Sequence, residues 1–142
     1  MGREENLKLV EEWYEAIGAR DLDRILGMYA ESIVSHDPGL QEPVKGIEAH
    51  KAWETAIFKA FGKGKVNLLN VFGQGDWVAA ESIYEMTHTG PLLSPDGTEI
   101  PATNKTATGR VLEVFTFEGG KITEVHAYYD QLGLMAQLGL GP

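Results

Sequence analysis

The chain contains no cysteine, which excludes disulfides, thiolate nucleophiles and thiolate-bound metals together. It is also poor in basic residues: 12 Lys and Arg stand against 21 Asp and Glu, for a formal net charge of −9. A surface of that sign repels phosphate backbones and anionic lipid unless its cations gather on one face. The densest basic cluster is only Lys59, Lys63 and Lys65, so neither nucleic acid nor membrane is an expected partner. Met1-Gly2-Arg3-Glu4-Glu5 leads straight into a charged helical pattern, without an apolar run suited to a signal peptide or a membrane span. A cytoplasmic protein is the expectation. A Gly-x-Ser-x-Gly elbow and a Walker loop are missing, and Gly73-x-Gly75 lacks the third glycine of a dinucleotide fingerprint. The histidines at 36, 50, 88 and 126 show neither HxH nor HExxH spacing, so no zinc site is expected.

What is present reads as one α+β domain over 1–142, with 43% hydrophobic and 23% charged residues and enough length for a single core with room for one pocket. Leu7, Val10, Tyr14 and Ile17 recur at helical spacing, with Glu4, Glu5, Lys8, Glu11 and Glu15 on the other faces. Gly18 is read as the end of that helix and Asp21 as the N-cap of a second, short one carrying Leu22, Ile25, Leu26 and Tyr29. Glu31–His36 reads as a strand closed by Asp37-Pro38-Gly39. A third helix is predicted from Gly46 to about Phe61, burying Ala49, Trp53, Ala56, Ile57 and Ala60.

The second half reads as four long strands over 66–72, 77–89, 105–117 and 121–130. The first and third links suit tight hairpins, while Gly90–Pro101 makes a wide loop. After Asp130, Leu132, Leu134, Met135, Leu138 and Leu140 predict a turn or two of helix closing the open end. Three helices followed by a meander predict helices packed on one face of a curved, mostly antiparallel sheet.

Thr87-His88-Thr89-Gly90-Pro91, Gly97 with Pro101-Ala102-Thr103-Asn104-Lys105, Gly120-Lys121-Ile122, and Asp130-Gln131-Leu132-Gly133-Leu134 with Gln137-Leu138-Gly139 follow one another in an order and spacing that resemble the SnoaL-like polyketide cyclases and ester cyclases. His36-Asp37-Pro38 followed by Gly46 is similar to the first-half signature of that group. The resemblance spans about residues 5–140. It implies a cone-shaped barrel of the nuclear-transport-factor-2 type around an apolar cavity, usually a homodimer, with no metal or organic cofactor. It also implies a general acid/base role for Asp130 in an aldol ring closure. Cyclases of this group commonly carry Trp and Asn where this chain has His126 and Tyr128, a basic residue in place of Glu81, and glycine in place of Asn104.

Side chains alternate along a strand, so His126, Tyr128 and Asp130 share one face of the last one. If that face points into the cone, desolvation raises the pKa of Asp130 toward the range of proton transfer, and His126, His88 or His36 assists it. Tyr128, Glu81, Trp53, Tyr14 and Tyr84 are the candidate substrate contacts. Glu81 is preferred over Glu113 as a second pocket carboxylate, although bulges in a bent sheet would change which strand residues face inward. The function expected is cyclisation, isomerisation or lyase chemistry on a small hydrophobic carbonyl compound. A non-catalytic pocket for an apolar small molecule is one alternative. Epoxide hydrolysis is another, although its Asp-Arg-Asp set finds only Arg110 mid-strand in the second half.

Overall fold

The computed structural model describes residues 2–94 and 96–140. The helical spacing of the N-terminal segment produces α1 (Arg3–Ala19), which buries Val10, Trp13, Tyr14 and Ala16. It ends not at Gly18 but at Arg20, whose left-handed conformation (φ 56°) lets its N–H return to the Ala16 and Ile17 carbonyls. Asp21 caps α2 (Leu22–Gly27) by accepting from the Arg24 N–H at 3.2 Å. β1 (Tyr29–His36) and the short β2 (Val44–Lys45) precede α3 (Ile47–Ala60).

The buried stripe of α3 departs from the apolar pattern. Ala49 and Ala56 are exposed, while His50 and Glu54 are buried beside Trp53 and Ile57. Both polar residues tolerate that face because they find partners. His50 donates Nδ1–H to the Gly46 carbonyl at 2.7 Å and takes the Ser35 hydroxyl on Nε2 at 2.8 Å.

β3 (Lys63–Gln74), β4 (Trp77–Thr87), β7 (Thr106–Glu118) and β8 (Lys121–Tyr128) form the meander, with β5 (Leu92–Leu93) and β6 (Glu99–Ile100) pairing in a small separate ladder within the wide loop. The main sheet runs β2-β1-β8-β7-β4-β3 and is antiparallel except where β1 lies parallel to β8. At the β7–β8 hairpin, Glu118 pairs with Lys121 across Gly119 (φ 57°) and Gly120 (φ 79°). Two positive φ angles in a two-residue loop are the geometry that matches strand twist. α1 packs on β3 and β4 and α3 on β1, while α4 (Gln131–Gln137) reaches β7 at the other end.

Two irregularities set which residues face the helices. Between β4 and β7 the register is unbroken, so Ala80, Ser82 and Tyr84 share the inner face with Glu113, Val111 and Gly109. Glu81, opposite Leu112, therefore faces outward. In β8 the pairing jumps from Phe117–Ile122 to Thr116–Glu124, which leaves Thr123 as a bulge. Ile122 and Val125 are consequently both buried, and inward-facing positions switch from even to odd numbers.

The core closes on Phe115, fully buried, whose ring meets Trp13 edge-on at 5.1 Å and Tyr14 at 6.1 Å. Such pairs add about 0.5–1.5 kcal/mol each beyond the area they bury. The wide loop is tied down by Thr89 and Gly90, whose N–H groups donate to the Ala60 carbonyl. A Cβ at Gly90 would collide with the Lys59 carbonyl oxygen, which is backbone and has little freedom to move. Gly90→Ala is expected to destabilise the protein by about 1–3 kcal/mol, read as a lower urea midpoint at unchanged m-value.

Candidate functional site

Between the helices and the inner sheet face lies a cavity of about 450 Å³ with mainly apolar walls. Trp13 and Ile17 of α1, Trp53 and Phe58 of α3, and Val66 and Val111 of the sheet contribute. Into this apolar space the fold turns two carboxyls.

Glu113, mid-way along β7, accepts from the Tyr14 hydroxyl at 2.8 Å and from the Tyr84 hydroxyl at 2.9 Å. Both phenols end on Oε1, so Oε2 is engaged by neither. Burial pushes the Glu113 carboxyl up to about 7, against the pull of the two phenol hydrogen bonds, and the negative charge of Asp37 adds to the rise. Glu54 on α3 accepts from the Tyr29 hydroxyl at 3.2 Å, and that oxygen in turn accepts from the Trp13 indole N–H at 3.1 Å. Burial raises Glu54 to about 7 as well; the Tyr29 bond lowers it and the charge of Glu113 raises it again. Its Oε2 is buried without a partner.

The phenols stay protonated. Burial first, then the neighbouring carboxylates, lift Tyr14, Tyr29 and Tyr84 well above the ordinary phenol value. At the mouth, Tyr129 donates to Asp37 at 2.6 Å. Arg20 also lines the cavity; its guanidinium sits over the Phe58 ring and donates to the Phe61 carbonyl, and its Nε is buried without a partner.

The structure divides the residues selected from sequence. Trp53 and Tyr84 line the cavity, and the Tyr14 hydroxyl reaches Glu113. His126 and Tyr128 do not share that space. The Thr123 bulge puts Val125, Ala127 and Tyr129 on the cavity side, leaving the His126 ring stacked on Tyr128 on the outer face.

His36 borders the mouth, but its ring stacks on His126, away from the apolar interior. His88 is buried in the wide loop, with Nδ1 facing the Thr103 hydroxyl at 3.1 Å; it anchors the loop rather than the cavity. Glu81 is bound on the outer face by Asn70 at 2.8 Å and Arg110 at 3.0 Å. Asp130 is exposed at the cavity rim, where its Oδ1 accepts from the Gly133 N–H at 2.8 Å and caps α4. Three departures from the cyclase pattern, at Glu81, His126 and Tyr128, thus lie on the outer face and do not reshape the cavity.

Sequence reasoning missed Glu54, Asp37 and Arg20, and ranked Glu113 below Glu81. One signal for Glu54 was available: His50, Glu54 and Ile57 follow four- and three-residue spacing on one helix face, so two polar residues sit in an apolar stripe.

An α+β cone with helices covering one face of a curled sheet, and acids turned into its apolar hollow, defines a nuclear-transport-factor-2-like pocket protein. The family model for the SnoaL-like polyketide cyclase matches residues 8–138, and the chain belongs to that family. Among solved structures, a provisionally assigned SnoaL-like polyketide cyclase from Jannaschia sp. CCS1 is 22% identical, with TM-score 0.85 over 99% of this chain and 95% of that one. TsrD from Streptomyces laurentii is 21% identical, with TM-score 0.81 over 99% and 98% of the two chains. AclR from Streptomyces galilaeus, provisionally assigned as a hydroxylase, is 20% identical, with TM-score 0.82 over 99% and 100%. At these identities the likeness is one of fold. No significant match is found among curated proteins. Among the described residues no helix is long and apolar enough to cross a membrane.

The raised carboxyls link stability to pH. An acid whose pKa is about 7 when folded, against an ordinary 4.5, binds more protons in the native state than in the unfolded one between those values. The stability these two acids contribute is therefore fully present below about pH 4.5 and is lost as pH rises through about 7. Glu113→Gln keeps an acceptor for the phenols and has no proton to lose. It is expected to flatten this slope and to gain roughly 2–3 kcal/mol over wild type at pH 8, with little gain at pH 4, measured by urea unfolding across the pH range.

Proposed function

We propose that the cavity carries out cofactor-independent proton transfer on a small apolar carbonyl compound, with Glu113 as the group that takes and returns the proton. The observation that supports this reading is an enclosed carboxyl held at about 7, with one oxygen fixed by two phenols and the other free of them. A base is most effective when its pKa lies near the working pH, and the apolar walls that raise the pKa also suit a hydrophobic ligand.

Oε2 of Glu113 removes a proton from the carbon next to the carbonyl, and the electron pair moves into the C–O bond to give an enolate. The Nε–H of Arg20, which has no partner, donates to that oxygen as charge develops. Return of the proton to a different carbon gives isomerisation. Attack of the enolate carbon on a second carbonyl of the same molecule gives ring closure, and the reverse gives lyase chemistry. Glu54, a second acid held near neutrality, supplies or accepts the other proton. Asp130 acts in this reading through α4, whose start it holds at the rim.

The test is deuterium incorporation from solvent into 2-tetralone, a flat enolisable ketone, followed by NMR. Wild type is expected to catalyse exchange at a rate that climbs as pH rises through about 7. Glu113→Gln should lower the rate by about 10²–10⁴-fold, while Asp130→Asn, which keeps a capping oxygen, leaves it unchanged. The reverse pattern would place the base at the mouth. Failure of wild type with 2-tetralone and every other enolisable ketone tried, together with a tightly held apolar compound in the purified protein, would establish a binding protein instead.

A further inference from the structure

The outer face of the sheet carries a cluster that the cavity chemistry does not use. His36 closes β1, and Glu124 and His126 lie two apart on β8. The strands are parallel neighbours, with Val34 paired to Glu124 and His36 to His126. Beyond the Thr123 bulge, Glu124 and His126 emerge on the same side as His36. The imidazole rings stack with centroids 4.1 Å apart and planes within 10°. Both Nε2 atoms approach one carboxylate: His126 at 2.9 Å from Oε1 and His36 at 3.7 Å from Oε2.

We propose that His36, Glu124 and His126 form a binding site for one divalent ion of the zinc class. A tetrahedral ion with bonds of 2.0–2.2 Å sets its donor atoms about 3.4 Å apart. The imidazoles approach the carboxylate at 2.9 Å (His126 to Oε1) and 3.7 Å (His36 to Oε2), and one donor atom from each of the three residues falls within 4.8 Å of the others. A bound ion would replace the proton that joins His126 Nε2 to Glu124, with the two rings tilted so that both Nε2 lone pairs meet on it.

Side-chain exposures of 39%, 38% and 29% for His36, Glu124 and His126 leave a fourth position open to water and give the ion a way in. Two imidazoles and one carboxylate favour Zn²⁺, Ni²⁺ or Cu²⁺ over Mg²⁺ or Ca²⁺, which prefer all-oxygen shells. Sequence spacing conceals the site because its ligands come from two strands that meet only in the folded sheet. An ion there would clamp β1 to β8 at the parallel seam. Ser35 and Val125, register partners beside these ligands, line the cavity on the other side of that seam. The site is independent of the proton-transfer reading.

Tag-free protein, stripped with EDTA and desalted, is titrated with ZnCl₂ by calorimetry and with CoCl₂ by visible absorption. One ion per chain and the intense bands of four-coordinate cobalt are expected. His36→Ala, His126→Ala and Glu124→Gln should each weaken binding by at least about tenfold, with melting in EDTA unchanged. In wild type, ZnCl₂ should shift the imidazole Hε1 resonances of His36 and His126 and leave those of His50 and His88 in place. The NMR readout decides the matter even where a variant folds poorly. Absence of saturable binding, binding undiminished in all three variants, or shifts at His50 or His88 in place of His36 and His126 would overturn the proposal.

Discussion

The structure turns on a carboxyl buried where water scarcely reaches. Glu113 belongs to the sheet and one of its phenol partners, Tyr14, belongs to α1, so their hydrogen bond joins the helical layer to the sheet across the hollow. A buried polar group left unpaired costs about 1–3 kcal/mol, which holds the two layers to a spacing at which both phenols still reach. The same aromatic rings that satisfy the acid also form apolar wall, so the cavity keeps its greasy character while holding ionisable groups. Trp13, Tyr29 and Glu54 repeat the device one layer over, with the indole donating to the phenol and the phenol to the carboxyl.

These acids do not titrate independently. The charge of Glu113 raises the pKa of Glu54, so loss of the Glu113 proton makes the Glu54 proton harder to remove. Around neutrality the hollow therefore favours one charge over two: one acid as carboxylate and one as carboxylic acid. That division places a carboxylate and a carboxylic acid in a single chamber, the pairing on which the proposed proton transfer rests.

Much of the architecture was legible along the chain. Asp21 as a helix cap and Gly119-Gly120 as a hairpin turn depend on residues within a few positions, and both stand as read. What failed was the inward direction of side chains, which depends on non-local pairing. Ala79, Glu81 and Ile83 share a side, but nothing within β4 says that this side is the outer one; its register with β7 does. For β8 the deciding feature is a single extra residue. Counted outward from the buried Ile122 in strict alternation, His126 and Tyr128 would enter the cavity, and the bulge at Thr123 reverses that. In α3 the obstacle was different: His50 and Glu54 look like solvent-facing residues until Ser35 and Tyr29, distant in sequence, arrive as partners.

The bulge also separates two chemistries. On the inner side of the β1–β8 seam, Ser35 and Val125 face an apolar space where burial raises carboxyl pKa values. On the outer side, Glu124 lies against two half-exposed imidazoles that lower its own. Two glutamates of one sheet, Glu113 and Glu124, thus behave as opposite kinds of acid because one loses water without gaining a cation and the other keeps water and gains two imidazole neighbours. The negative charge of Asp37 adds to the inner effect at Glu113. An anionic ligand would meet opposition from the same charge on entry and a neutral carbonyl compound would not, with Arg20 as the cationic exception on the cavity wall.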